Sequence, residues 1–94
     1  MSDIILRKPY KILEYRHERY AAHYNIPSAS CVVIPVKSFG DDFSCDVRWQ
    51  DELGEQHIKE NLFFHRENLA PIDPMMNYNL YEIWNAYYGK ASAL

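Results

Sequence analysis

Phe43-Ser44-Cys45-Asp46-Val47-Arg48-Trp49-Gln50 alternates without a break, with Phe43, Cys45, Val47 and Trp49 on one side and Ser44, Asp46, Arg48 and Gln50 on the other. Successive side chains of a strand point to opposite faces, so this two-residue period marks a strand buried on one face. It places Trp49 largely inside, beside Val47. Upstream, Cys31-Val32-Val33-Ile34-Pro35-Val36 is apolar and rich in β-branched residues, which makes it a second strand. Pro35 has no N–H to give to a ladder and belongs at an edge or a bulge. Gly40-Asp41-Asp42 turns the chain between the two, so they pair about Gly40, with Cys45 near Val36 and Cys31 near Gln50. A disulfide between these cysteines is then out of reach.

Downstream, Asp51-Glu52-Leu53-Gly54 forms a second turn, and Gln56 to Lys59 is an extended segment with Ile58 as its inward side chain. Leu62-Phe63-Phe64 and Asn68-Leu69-Ala70-Pro71-Ile72 add short extended pieces. Strands in a row joined by tight turns predict an antiparallel meander or a small barrel. Before them, Leu6, Tyr10, Leu13, His17, Tyr20 or Ala21, and Tyr24 recur at intervals of three and four, which predicts a helix from about residue 8 to 24. Pro9 suits its first turn and Pro27 lies beyond its end. Aromatics and Ile12 also favour sheet, so a strand over Tyr10 to Tyr15 is the alternative. A last helix opens with Asp73 as N-cap and Pro74 at the first position, and Gly89 closes it. Met76, Leu80, Ile83 and Tyr87 form its core stripe, and Tyr81, Trp84 and Tyr88 a second, adjacent one.

The 94 residues suffice for one domain, 1–94, and 48% of them are hydrophobic against 24% charged, the profile of a folding chain. The net charge of −3 argues against wholesale attraction to nucleic acid or anionic lipid. The charge is polarised, however. Arg7, Lys8, Lys11, Arg16 and Arg19 outnumber Asp3, Glu14 and Glu18 over residues 1–20. No apolar run approaches the roughly 20 residues of a membrane span, and Ile4 to Leu6 is too short for a signal-peptide core. With two cysteines and no such signal, the expected setting is cytoplasmic, with free thiols and no membrane partner.

The segments Val47-Arg48-Trp49, Asp51-Glu52-Leu53-Gly54 and Asn68-Leu69-Ala70-Pro71-Ile72 resemble the SH3-like barrels, in particular Tudor-type modules, over about half the chain. Tudor-type modules hold methylated cations in aromatic cages. That cage pattern is not matched position by position, so no ligand residues carry over. Tyr15-Arg16-His17-Glu18-Arg19-Tyr20 followed by Val33-Ile34-Pro35 is similar to the gyrase-poisoning toxins of plasmid addiction modules, small dimeric SH3-like proteins with a C-terminal helix. Those toxins act through their extreme C-terminus, whereas this chain continues past Gly89 with Lys90 to Leu94. The expected fold is therefore α+β: an N-terminal helix, a small antiparallel sheet or SH3-like barrel, and a C-terminal aromatic helix.

No metal, cofactor or catalytic residue is expected. His17, His23, His57, His65, Cys31 and Cys45 contain no pair of histidines three or four apart and no Cys-x-x-Cys, so zinc spacing is lacking. Ser28, Ser30 and Cys31 lie in no nucleophile elbow, and Asp41-Asp42 and Asp51-Glu52 fall in turns, where carboxylates are ordinarily solvated. Two surfaces remain. Lys8, Lys11, Arg16 and Arg19 share the helix face opposite the apolar stripe, with Tyr15 among them, and are candidates for anion contact. Tyr81, Trp84 and Tyr88 are candidates for an interface, since tyrosine and tryptophan suit surfaces that are apolar at one end and wet at the other. The expected function is non-catalytic binding of a protein or peptide by a homo-oligomer, a dimer. A small toxin or inhibitor of a cellular enzyme is the second reading, and nucleic-acid binding through the basic N-terminal helix the third.

Overall fold

A computed structural model describes residues 4–92, and over 87–92 the backbone alone. Five strands form one antiparallel sheet: β1 (Tyr10–Ile12), β2 (Cys31–Phe39), β3 (Asp42–Gln50), β4 (Gln56–His65) and β5 (Leu69–Pro71). Their order is β4-β3-β2-β1-β5. Helix α1 (His17–Tyr24) lies between β1 and β2, and α2 (Tyr78–Ser92) follows β5. The α+β class and both flanking helices stand as expected.

The alternating segment is β3, with Phe43, Cys45 and Val47 buried on one face. Cys31 lies opposite Trp49 rather than Gln50, and Cys45 opposite Pro35 rather than Val36, one residue off the expected register, because the pairing slips between Pro35 and Lys37, where the missing N–H of proline asks for a bulge. Val33 of β2 joins the inner core, while Val32 and Ile34 pack on the other face against Leu80, Ile83 and Trp84 of α2. Burial on both faces is why this stretch reads as an unbroken apolar run. Phe64 of β4 and Leu69 of β5, from opposite ends of the strand order, belong to one core cluster with Tyr10, Ile12 and Val33. The sheet is therefore curled around its core.

Several expectations are corrected. Residues 8–24 are not one helix. Tyr10 and Ile12 are strand residues at 4% and 1% exposure, and β1 pairs with β2 and with all of β5. A 3₁₀ turn over Glu14–Arg16 then leads into α1. Asn25 ends α1 in the left-handed region at φ +56, which asparagine tolerates. Ile58 faces outward at 43% exposure, because it lies opposite Arg48 on the polar face of β3. The β3–β4 register slips between Cys45 and Val47, and Asn61 has φ +61. This bulge resets the alternation, so that Leu62 and Phe64 lie opposite Cys45 and Phe43.

Trp49 is half-buried rather than largely buried. It lies near the end of β3, where the core thins, and stacks on His57 with ring centroids 5.5 Å apart. The last helix begins at Tyr78, not Pro74. Asp73 Oδ1 accepts the Met75 N–H, and the Asn77 N–H donates to the Asp73 carbonyl, closing a separate turn that leaves Met76 81% exposed. The helix runs through Gly89, and the side chains of Tyr87 and Tyr88 lie outside the described residues.

Candidate functional site

In the strand order β4 and β5 lie at opposite edges, and α1 is fastened across the edge of β4. The Tyr24 hydroxyl donates to the Phe63 carbonyl at 2.7 Å and accepts the Phe63 N–H at 3.2 Å, satisfying two backbone groups that an edge strand leaves unpaired. Burial pushes the Tyr24 phenol above its ordinary range, against the opposing hydrogen bond to Phe63, so it remains a protonated donor. Lys59 Nζ donates to the Tyr24 carbonyl at 2.7 Å, capping the last turn of α1. Tyr20 and Tyr24 are stacked, and both rings contact Phe64.

The other end of the attachment is Asn68, in the 3₁₀ turn Arg66–Asn68, and it is 9% exposed. Its Oδ1 accepts from the Tyr15 hydroxyl at 3.2 Å and from Arg16 Nε at 3.1 Å, and its Nδ2 donates to the Tyr20 hydroxyl at 2.8 Å. Its carbonyl accepts the Leu13 N–H. The Arg16 guanidinium lies 5.1 Å from the Tyr15 ring centroid, a cation–π distance. One buried amide thus holds two phenols and a guanidinium in place.

Asn68, Arg16 and Tyr20 border a cleft of about 510 Å³. Arg16, Arg19, Tyr20, His23 and Tyr24 form the helix side; Asp42, Phe63, His65, Glu67 and Asn68 form the sheet side. The formal charges are segregated, guanidiniums on one rim and carboxylates on the other. Phe63 is 51% exposed at this border, in edge contact with Phe39 at 5.7 Å, and Lys37 Nζ sits 5.3 Å from the Phe39 ring.

Of the four cations selected from the sequence, only Arg16 and Arg19 meet here. Lys8 precedes β1 and Lys11 lies on it, because the segment is a strand and not the helix that put all four on one face. Lys11 lines a second cleft with His17, Ser28 and Asn77. In the second stripe of α2, Trp84 is 9% exposed and packs in the cluster with Val32 and Ile34, and Tyr81 is half-buried against the same cluster. The Tyr88 side chain lies outside the described residues. Sequence reasoning passed over Asn68, Tyr24 and Phe63. Asn68 carried no local signal, since its partners are 48 to 53 positions away.

Two other groups are engaged in structure. Asp51 Oδ1 accepts the Leu53 and Glu55 N–H groups, and His57 Nε2 donates to Asp51 Oδ2 at 2.8 Å. The hydrogen bond from His57, followed by that from Glu55, holds the Asp51 carboxyl below its ordinary value. Glu55 brings a third ligand-type side chain, with the three ligand atoms within 4.8 Å of one another, yet the Asp51 oxygens already close the β3–β4 hairpin. Cys31 and Cys45 are fully buried, and burial pushes both thiols up to about 12, far from the thiolate that reacts or binds metal. No helix among the described residues is long and apolar enough to cross a membrane. No family model, curated protein or solved structure matches this chain.

Proposed function

We propose that this chain is a non-catalytic binding protein whose ligand sits in the cleft between α1 and the edge of β4. The observation that carries the reading is Asn68. A buried amide is costly unless its hydrogen bonds are made, and here two of them are made to Arg16 and Tyr20, which border the cleft. Fixing Arg16 and the tyrosines before a ligand arrives removes part of the ordering entropy that binding otherwise costs. The buried free thiols accord with a reducing, cytoplasmic setting.

Titration with phenyl phosphate, a small probe with one ring and one anion, followed by amide chemical shifts, tests the site. Saturable shifts are expected over residues 16–24 and 63–68, weakened at least fivefold by Arg16→Ala. Shifts confined to α2 or to the β3–β4 hairpin would overturn the reading.

A second reading, self-association, is favoured by Met75, Met76 and Tyr78, which are 89%, 81% and 62% exposed at the entry to α2. An isologous dimer would bury this patch against its own copy. Sedimentation at micromolar concentration is expected to show a dimer that Met76→Glu converts to monomer. A wild-type monomer would dismiss it.

A further inference from the structure

We infer that the ligand of this cleft is a single-stranded nucleic acid, with phosphates on Arg16 and Arg19, bases stacked on Phe63 and then Phe39, and exocyclic base amines donating to Asp42 and Glu67. The inference rests on the cleft being the binding site and adds the chemical class of what fills it. A nucleotide is an anion at one end and, for cytosine, adenine and guanine, an amine donor at the other, with a flat ring between. The cleft presents all three complements, with cations on the helix rim and an exposed ring and carboxylates on the sheet rim.

Arg16 is prepared for phosphate. Its Nε is taken by Asn68 and its guanidinium carbon lies 5.1 Å from the Tyr15 ring centroid, while its terminal nitrogens have no hydrogen-bond partner among the described residues. A pre-oriented guanidinium fork suits a phosphate. Arg19, three residues on and exposed, has no ion-pair partner among the described residues either, and residues three apart on a helical turn share a side. Beyond the cleft, Phe39 and Lys37 repeat the pairing of ring and cation, so the surface is longer than one nucleotide. Stacking on aromatic rings with cations along the backbone is how single strands are held without a groove to read. Asp42 and Glu67 set the strand number. Carboxylates accept from the amine of cytosine but repel the second phosphate chain of a duplex. They also reconcile a nucleic-acid site with a net charge of −3, since only the helix rim needs to be basic.

Fluorescence anisotropy with fluorescein-labelled dC12, dA12 and dT12 and a 12-base-pair duplex tests this. dC12 and dA12 are expected to bind at least fivefold more tightly than dT12, which has no exocyclic amine, and all three more tightly than the duplex. Two phosphate contacts give a slope of log affinity against log salt of about −1.4, at roughly −0.7 per phosphate for single strands. Arg16→Ala with Arg19→Ala is expected to weaken dC12 at least tenfold, and Asp42→Ala with Glu67→Ala to erase the preference over dT12 without weakening dT12. Arg19→Glu alone, at an exposed helix position, guards against loss of fold and is expected to weaken binding likewise. Absence of binding at 100 µM protein, equal affinity for duplex, equal affinity for dC12 and dT12, or indifference to the arginine changes would overturn the inference. If phenyl phosphate still titrates the cleft while every oligonucleotide fails, the site stands and its ligand belongs to another class, such as a peptide of mixed charge.

Discussion

Asn68 and Asp51 are both polar side chains that take several hydrogen bonds, and their surroundings give them different consequences. Asn68 is buried, so truncation strands three partners. Asn68→Ala is expected to cost about 1–3 kcal/mol, the usual penalty for leaving buried polar groups unsatisfied, and to release Arg16. Urea denaturation measures the first effect and the amide shifts of residues 15–20 the second. Asp51 is at the surface, and its effect is read through pH. Its carboxyl titrates below the ordinary 3.8 in the folded chain, so its contribution to stability is fully present above that value. The contribution is lost as pH falls through the depressed folded value. Asp51→Asn is expected to flatten the stability curve below about pH 4 and to leave it unchanged in shape near neutrality. Acid-unfolding curves that superimpose for the two proteins would show that the clasp to His57 does not form in solution.

At the scale of elements, each helix solves a different problem for the sheet. Helix α1 covers the β4 edge through Tyr24, whose hydroxyl replaces the missing neighbouring strand at Phe63. Tyr24→Phe keeps the ring on Tyr20 and Phe64 and removes only the hydroxyl. It is expected to cost about 1 kcal/mol and to raise concentration-dependent association through the uncapped edge, detectable by light scattering. Helix α2 covers the outer face of β2 through Leu80, Ile83 and Trp84. Trp84→Ala is expected to cost about 3–5 kcal/mol, the range for large-to-small changes at buried aromatics. A Trp84→Ala protein of near-native stability by urea denaturation would mean that α2 is not seated on β2 as described.

For the whole molecule, the two thiols report on global opening. Cys31 and Cys45 sit on the neighbouring strands β2 and β3 at the middle of the sheet and are fully buried. Local fraying does not expose them, so their modification is gated by unfolding of the domain. Native protein is expected to resist a thiol-specific disulfide reagent, and denatured protein to titrate two thiols without reductant. Labelling rates of the native protein are expected to slow by the same factor as any stabilising change raises the folding constant. Rapid native labelling would show that the central strands open independently.

The sequence by itself determined what depends on neighbours along the chain. The alternation of Phe43 to Gln50 and the apolar run of Cys31 to Ile34 mark two strands and their turn at Gly40, because the faces of a strand are set by a two-residue period, but the bulge between Pro35 and Lys37 moves their register by one residue. It could not decide Tyr10 to Ile12, where the same residues satisfy a helical and an extended spacing. Pairing with β2 and β5 decided that, from residues 23 to 61 positions away. The phase of β4 was hidden for a related reason, since a single bulge at Asn61 inverts which side chains face inward. The cleft belongs wholly to the tertiary structure. Arg16 and Arg19 were visible as charges, but Asn68, Tyr24 and Phe63 acquire their roles only when α1 is laid across the β4 edge, because hydrogen bonds between residues some 40 to 50 positions apart leave no period in the chain that makes them.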